Sequence, residues 1–106
     1  MNNQHSNTYH VFFMNLANPL RIEIISALKQ KNMNVSELSK ALGVEQSKLS
    51  HALGNLRECN IVNAQQKGKE RVYSLNRKTI LPMLKLIDEH ARLNCKGECR
   101  NCVFAK

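Results

Sequence analysis

Three cysteines stand within eight residues near the end of the chain, at Cys95, Cys99 and Cys102. The residues between them are polar, so a packed core, the usual environment of a free cysteine, is not expected there. Thiolates at this density are typical of a site for zinc or another thiophilic metal, with His90 or Cys59 as a candidate fourth ligand. Two other interpretations stay open: a redox pair formed by two of the thiols and, as the weakest match, an iron–sulfur cluster.

A second set of residues suited to chemistry lies between Gln46 and Val62. Leu49, Leu53 and Leu56 are spaced to form one apolar stripe on a helix. The rest of that helix carries amides, hydroxyls, an imidazole and positive charge, which are groups that hydrogen-bond to base edges and phosphates. The side chains predicted to contact DNA from this face are Gln46, Ser47, Lys48, Ser50, His51 and Asn55.

Basic residues follow this helix in a segment with the pattern of a β-hairpin. Val62 to Gln66 and Arg71 to Leu75 are predicted strands, and Lys67-Gly68-Lys69 is the predicted turn. The hairpin therefore carries Lys67, Lys69 and Arg71 beside the helix, where they can contact the DNA backbone or minor groove. If these basic residues were not on a hairpin beside the helix, the simplest interpretation would be a solvated, solubilising surface.

The overall charge agrees with a polyanionic partner. Sixteen Lys and Arg against eight Asp and Glu give a formal net charge of +8 in 106 residues.

No stretch has the length and apolar composition of a membrane span, and residues 1–8 lack the apolar core of a signal peptide, so a cytoplasmic protein with no membrane partner is expected. The chain has no paired carboxylates, nucleophile elbow or phosphate loop, and an enzyme is not predicted.

The elements that must position these residues are mostly helices. Residues 1–8 are interpreted as a flexible arm, residues 9–94 as one DNA-binding and dimerisation domain, and residues 95–106 as a Cys-rich tail. Asn18-Pro19 opens a helix, Gly43 ends the next, and Asn60 is placed where the chain leaves the third in the left-handed conformation. Cys59, next to that exit, is interpreted as a small buried residue when it is not a ligand.

The first and last helices are too apolar to be buried within one small domain. Tyr9 to Leu16 and the helix after Thr79 are therefore predicted to form the interface of a homodimer. The predicted fold is mainly α with a small β-hairpin, a winged helix-turn-helix that dimerises through its N- and C-terminal helices.

The order of these elements resembles the ArsR/SmtB family of winged helix-turn-helix regulators. The resemblance rests on residues 18–25, 46–53, 56–62 and 67–75. It implies a homodimer, expected to be a repressor, that binds inverted-repeat operators in double-stranded DNA. Two departures concern metal sensing: residues 35–39 lack the Cys-x-Cys pair of some members, and Asp88 with His90 is only a fragment of the terminal-helix zinc site of others.

Two functions are compatible with the sequence. The first is a DNA-binding transcriptional regulator switched by metal or redox chemistry at the C-terminal cysteines. The second is a small metal-handling or thiol-redox protein that uses a winged helix for protein contacts. Affinity for duplex DNA above that of any basic protein distinguishes the first from the second.

Overall fold

The structure is a computed structural model that describes residues 4–94, with side-chain environments from residue 7 onward. The elements in chain order are α1 (Gln4–Leu16), α2 (Pro19–Gln30), α3 (Val35–Leu42), α4 (Gln46–Glu58), β1 (Val62–Lys67), β2 (Glu70–Leu75) and α5 (Ile80–Asn94). The predicted mainly α fold with one small antiparallel hairpin is thereby confirmed.

The helix α1 begins earlier than expected, because Gln4 to Thr8 continue it upstream of the apolar segment. The polarity of these residues predicts part of a flexible arm, whereas the structure includes them in the helix. None of them is Gly or Pro, and a helix that already has one turn gains a hydrogen bond with each residue added. Polarity alone therefore did not mark the start of the helix.

The start of α2 follows the predicted capping pattern. Asn18 has extended backbone geometry, and its Oδ1 accepts a hydrogen bond from the Arg21 backbone N–H at 3.1 Å. Pro19 occupies the first helical position, where an N–H would have no partner within the helix. Ile24, Ile25 and Leu28 form the buried face of the helix.

The helix α3 is closed at both ends by local interactions. The Glu37 backbone N–H donates to Asn34 Oδ1 at 2.8 Å, and the Asn34 backbone N–H donates to Glu37 Oε1 at 2.9 Å, a reciprocal capping box. At the other end, Gly43 has the predicted left-handed backbone, with φ of 67°. The turn into α4 is therefore short and defined.

The core of this part of the chain lies where α2, α3, α4 and the hairpin meet. A short bridge adds to the hairpin, because Met33 and Tyr73 exchange backbone hydrogen bonds of 3.2 and 2.8 Å. The side chains with the least exposure are Ile24, Leu38, Leu49, Leu53, Leu56, Ile61 and Val62. Three of these belong to α4, so the apolar stripe predicted for that helix is confirmed.

The chain divides into two compact units between Leu75 and Asn76. The first unit contains α1 to α4 and the hairpin, and the second contains α5. None of the described helices is by itself long and apolar enough to span a membrane. The segment Asn7–Leu16 of α1 and the helix α2 together have the length and apolar composition of a span, but they are bent by 77° at their junction.

Candidate nucleic-acid interface

The helix α4 presents one buried side and one exposed side. Leu49, Leu53 and Leu56 are 0 to 1% exposed, and Ala52 lies beside them at 6%. Because this side anchors the helix in the core, the opposite side faces solvent over more than two turns. The predicted DNA-contacting residues lie there: Gln46, Ser47, Lys48, Ser50 and His51 are exposed, and Asn55 is half-buried.

Two of these exposed side chains already have local partners. Gln46 Nε2 donates to Ser36 Oγ on α3 at 3.3 Å, and Ser47 Oγ donates to Glu45 Oε1 at 2.9 Å. A contact from either residue to a base or a phosphate would replace one of these exposed hydrogen bonds, which contribute little net stability.

The hairpin forms a two-stranded ribbon with a two-residue loop. Lys67, the last residue of β1, pairs with Glu70, the first residue of β2, and the loop is Gly68-Lys69. Gly68 has φ of 64°, a backbone conformation that glycine adopts without strain. Lys67 and Lys69 are therefore exposed at the end of the ribbon, and Arg71 is exposed one register pair along, opposite Gln66.

The exposure of Cys59 contradicts its interpretation as a buried packing residue. The helix stops at Glu58, so Cys59 no longer continues the leucine stripe. Asn60 then takes the predicted left-handed conformation with φ of 59°, and Ile61 rather than Cys59 enters the core at 0% exposure. The Cys59 Sγ instead accepts a hydrogen bond from Asn15 Nδ2 at 3.2 Å.

The predicted metal or redox ligands are only partly within the described residues. His90 is exposed on α5, where Asn94 Nδ2 lies 3.3 Å from its Nδ1 and donates to its backbone carbonyl at 3.0 Å. Between residues 4 and 94, no group of three or more His, Cys, Asp or Glu side chains is placed to hold a metal ion. Cys95, Cys99 and Cys102 lie outside the described residues.

A cleft of about 430 Å³ beside α4 was not anticipated from the sequence. Arg21 and Asn18, at the start of α2, line one wall, and Lys48 and His51 of α4 line the other. Helical periodicity within α2 alone predicts Arg21 on the solvated side of that helix, whereas it is half-buried. No local pattern identifies such a cleft, because its walls are about thirty positions apart in the chain.

A helix-turn-helix followed by a basic two-stranded ribbon defines a winged helix-turn-helix protein. The family model described as "Bacterial regulatory protein, arsR family" matches residues 18–64, which include α2, α3, α4 and the start of β1. The chain belongs to the ArsR family of transcriptional regulators.

Known relatives and solved structures agree with this family. The chain is 39% identical over 74 residues to Rv0081 of Mycobacterium tuberculosis, described as an uncharacterized HTH-type transcriptional regulator, with 69% of this chain and 65% of that protein covered. It is 32% identical over 82 residues to the transcriptional activator HlyU of Vibrio cholerae, with 77% and 73% covered. The match thus spans slightly less than two thirds of the length of Rv0081.

The crystal structure of Rv0081 superposes with a TM-score of 0.75 at 33% identity, covering 83% of this chain and 90% of that one. The structure of HlyU gives 0.72 at 30% identity, covering 89% and 99%. A homodimeric winged helix-turn-helix domain of Mb0332 from Mycobacterium bovis gives 0.77, covering 96% of each chain, and at 19% identity this likeness concerns the fold alone. These superpositions confirm the predicted winged helix-turn-helix fold.

Proposed function

We propose that this protein is a transcriptional regulator that binds double-stranded DNA with α4 in the major groove and the hairpin beside it. The observation that carries the proposal is the division of α4 into a fully buried leucine side and an exposed side of amides, hydroxyls, Lys48 and His51. A helix anchored in this way can insert into a groove about 12 Å wide without disturbing the core.

The proposed roles follow the chemistry of each side chain. Gln46 and Lys48, at the N-terminal end of α4, are assigned to base edges, Ser47 and Ser50 to phosphates, and His51 to either. Asn55, Lys67, Lys69 and Arg71 complete the proposed interface, the last three through backbone or minor-groove contacts. The proposal assigns no catalytic activity to the chain and places the protein with its DNA in the cytoplasm.

We also propose that the protein acts as a homodimer on an inverted repeat. Tyr9, Phe13 and Met14 on α1 are 62, 59 and 58% exposed, and Leu86 on α5 is 71% exposed. Apolar surface of this extent on two helices is typical of an interface between protein chains. A twofold dimer would present two copies of α4, and its operator would have matching symmetry.

Selection of binding sites from a randomised duplex pool with the full-length protein tests both parts of this proposal. The expected product is an inverted repeat whose half-sites are centred about one helical turn apart, roughly 10 base pairs. Enrichment of no sequence, together with affinity no greater than that of an unrelated basic protein, would refute the assignment to DNA.

Charge reversal then locates the interface. The triple variant Lys48→Glu, Lys67→Glu, Lys69→Glu is expected to weaken binding strongly and to flatten the dependence of affinity on salt, because fewer counterions are released. Its matched control reverses three exposed lysines outside α4 and the hairpin, namely Lys31, Lys78 and Lys85. Equal losses in the two triple variants would mean that net charge alone governs binding.

We propose that the protein represses transcription. Because one relative, HlyU, is described as a transcriptional activator, the direction of regulation is to be measured directly. A reporter gene placed behind a selected site is expected to fall in expression when the protein is present. A rise in expression, with the same site occupied, would make the protein an activator and would leave its DNA interface unchanged.

A thiol switch is proposed as a second function, based on the density of cysteines in the sequence. Cys95, Cys99 and Cys102, with His90 and Cys59 as candidate partners, would hold a thiophilic metal or form a disulfide. Elemental analysis and thiol counting on anaerobically purified protein test this, followed by DNA binding with and without the species found. Freely titrating thiols, no bound metal and unchanged DNA affinity after oxidation would refute the switch.

A further inference from the structure

The cleft between α2 and α4 contains positively charged side chains from two different helices. Its titratable lining residues are Arg21, Lys48 and His51, and the remaining polar groups are the amides of Asn18 and Asn55 and the hydroxyl of Ser47. In the part of the chain that the structure describes, no carboxylate lines the cleft. The electrostatic potential inside it therefore favours an anion.

The guanidinium of Arg21 is held at the wall of this cleft by neutral partners. Arg21 Nη1 donates to the Asn15 backbone carbonyl at 3.2 Å and to Asn15 Oδ1 at 3.0 Å. A guanidinium has five N–H donors in a rigid fork, so donors remain for another acceptor. Neither bond compensates its positive charge, and no ion pair to Arg21 is found between residues 7 and 94.

Asn15 connects this guanidinium to the far end of α4. Its side-chain carbonyl accepts from Arg21, while its side-chain amide donates to Cys59 Sγ at 3.2 Å, immediately after the last residue of α4. Arg21 is half-buried, so its position is restricted by packing as well as by these bonds. A preorganised guanidinium loses less conformational entropy when it binds a phosphate than a mobile lysine does.

The cleft is continuous with the surface that is assigned to the major groove. Ser47, Lys48 and His51 belong both to the cleft wall and to the exposed side of α4 assigned to the major groove. With α4 in a groove, the phosphates of one strand run along its edge, and about half or more of all protein–DNA hydrogen bonds are made to such backbone groups. Glu45, at the start of α4, is already engaged as the acceptor of the Ser47 hydroxyl at 2.9 Å.

We propose that the cleft binds a backbone phosphate of duplex DNA, with Arg21 as the main phosphate ligand and Asn15 as the residue that positions it. This inference rests on the proposed DNA-binding function and adds a contact from α2, outside α4 and the hairpin. A phosphate held there would determine how far α4 enters the groove and its angle to the DNA axis.

The test is a salt titration of duplex binding by fluorescence anisotropy with the full-length protein. Arg21→Ala is expected to reduce the slope of log affinity against log salt by about 0.9 per bound protomer, the value for one lost phosphate contact. Arg21→Lys keeps a charge in the cleft and is expected to retain most of the slope, with weaker affinity because the fork is lost. Lys31→Ala, at the other end of α2, is the control and is expected to leave the slope unchanged.

A positioning role for Asn15 makes a separate prediction. Asn15→Ala leaves every charge in place and is expected to weaken duplex binding, but to have little further effect in an Arg21→Ala background. Additive losses would show that Asn15 acts independently of Arg21. Binding of each variant is measured at a temperature below the unfolding transitions of all variants, which are determined by thermal unfolding. A fraction of unfolded protein would lower the apparent affinity without changing the slope of log affinity against log salt.

Three outcomes separate this proposal from the function on which it rests. A wild-type protein that binds no duplex would refute the DNA-binding function itself. A steep wild-type slope that Arg21→Ala leaves unchanged would refute the phosphate contact and leave the function intact. Saturable binding of inorganic phosphate that Arg21→Ala removes, with no change in the duplex slope, would assign the cleft to a free anion and would also overturn the proposal.

Discussion

The exposed aromatic surface of α1 leads to a quantitative prediction about assembly. Phe13 is 59% exposed, whereas its neighbour Phe12 is half-buried and packs edge-on against it, with ring centroids 5.6 Å apart. If α1 forms the dimer interface, Phe13→Ser removes apolar area from that interface while leaving Phe12 in place. The variant is therefore expected to fold and to dimerise more weakly.

The size of the effect follows from the exposed area. A phenylalanine side chain buries about 200 Å², of which the fraction still exposed here is 59%. At about 25 cal/mol per Å², burying that area stabilises the dimer by roughly 3 kcal/mol per protomer, or roughly 6 kcal/mol for a twofold interface. Because association also immobilises side chains, we expect Phe13→Ser to weaken the dimer by about half of this free energy. A loss of roughly 3 kcal/mol raises the dimer Kd roughly 100-fold.

Sedimentation equilibrium over a range of protein concentrations measures this change directly. The matched control is Ile22→Ser, which makes a similar apolar-to-polar change at a side chain that is 49% exposed on α2, outside the proposed interface. A folded Phe13→Ser variant whose Kd lies within threefold of the wild-type value would exclude this face of α1 from the interface. A wild-type protein that is monomeric at all concentrations would refute the dimer itself.

Three further predictions concern stability and are read from chemical denaturation. A Cβ at Gly43 or Gly54 would meet no atom within 4 Å, but of these two residues only Gly43 has positive φ. Gly43→Ala is therefore expected to lower the free energy of unfolding by about 1–2 kcal/mol, and Gly54→Ala in α4 to raise it by up to about 1 kcal/mol. Effects of equal sign would contradict the backbone argument. Leu53→Ala, at a side chain with 0% exposure, is expected to cost roughly 2–5 kcal/mol, and a loss below 1 kcal/mol would mean that the core closes around the cavity. Asn34→Ala removes the capping box of α3 and is expected to cost about 0.5–2 kcal/mol, whereas Asn32→Ala, at an exposed position before it, should be near neutral.

The features that local sequence predicted correctly depend on residues close together in the chain. The Asn18-Pro19 start of α2, the left-handed residues Gly43 and Asn60 and the hairpin turn at Gly68 each follow from backbone geometry over a few positions. The predicted turn also included Lys67, which the structure assigns to β1. The leucine stripe of α4 follows from helical periodicity in the same way. The capping box at Asn34 was equally local and could have been found from the Glu three residues later.

The burial of Cys59 and of Arg21 is predicted wrongly, because burial depends on where a helix ends and on which other segments pack against it. Cys59 is predicted to be buried because a free cysteine usually is, but α4 ends at Glu58 and Ile61 enters the core instead. Periodicity within α2 predicts a solvated Arg21, because it contains no information about Asn15 or α4. Its half-buried position depends on the packing of two helices and on a side-chain hydrogen bond from outside α2.

The sequence by itself determined the class of fold, the two-sided character of α4 and the basic character of the hairpin, because caps, turns and periodic burial are properties of short segments. The tertiary structure alone decided which charged side chains line the same cleft. Arg21 and Lys48 are separated along the chain, and only the packing of α2 against α4 makes them walls of one cleft. It also decided that Asn15 connects Arg21 to Cys59, because hydrogen bonds between side chains of different chain segments require each backbone to be in position.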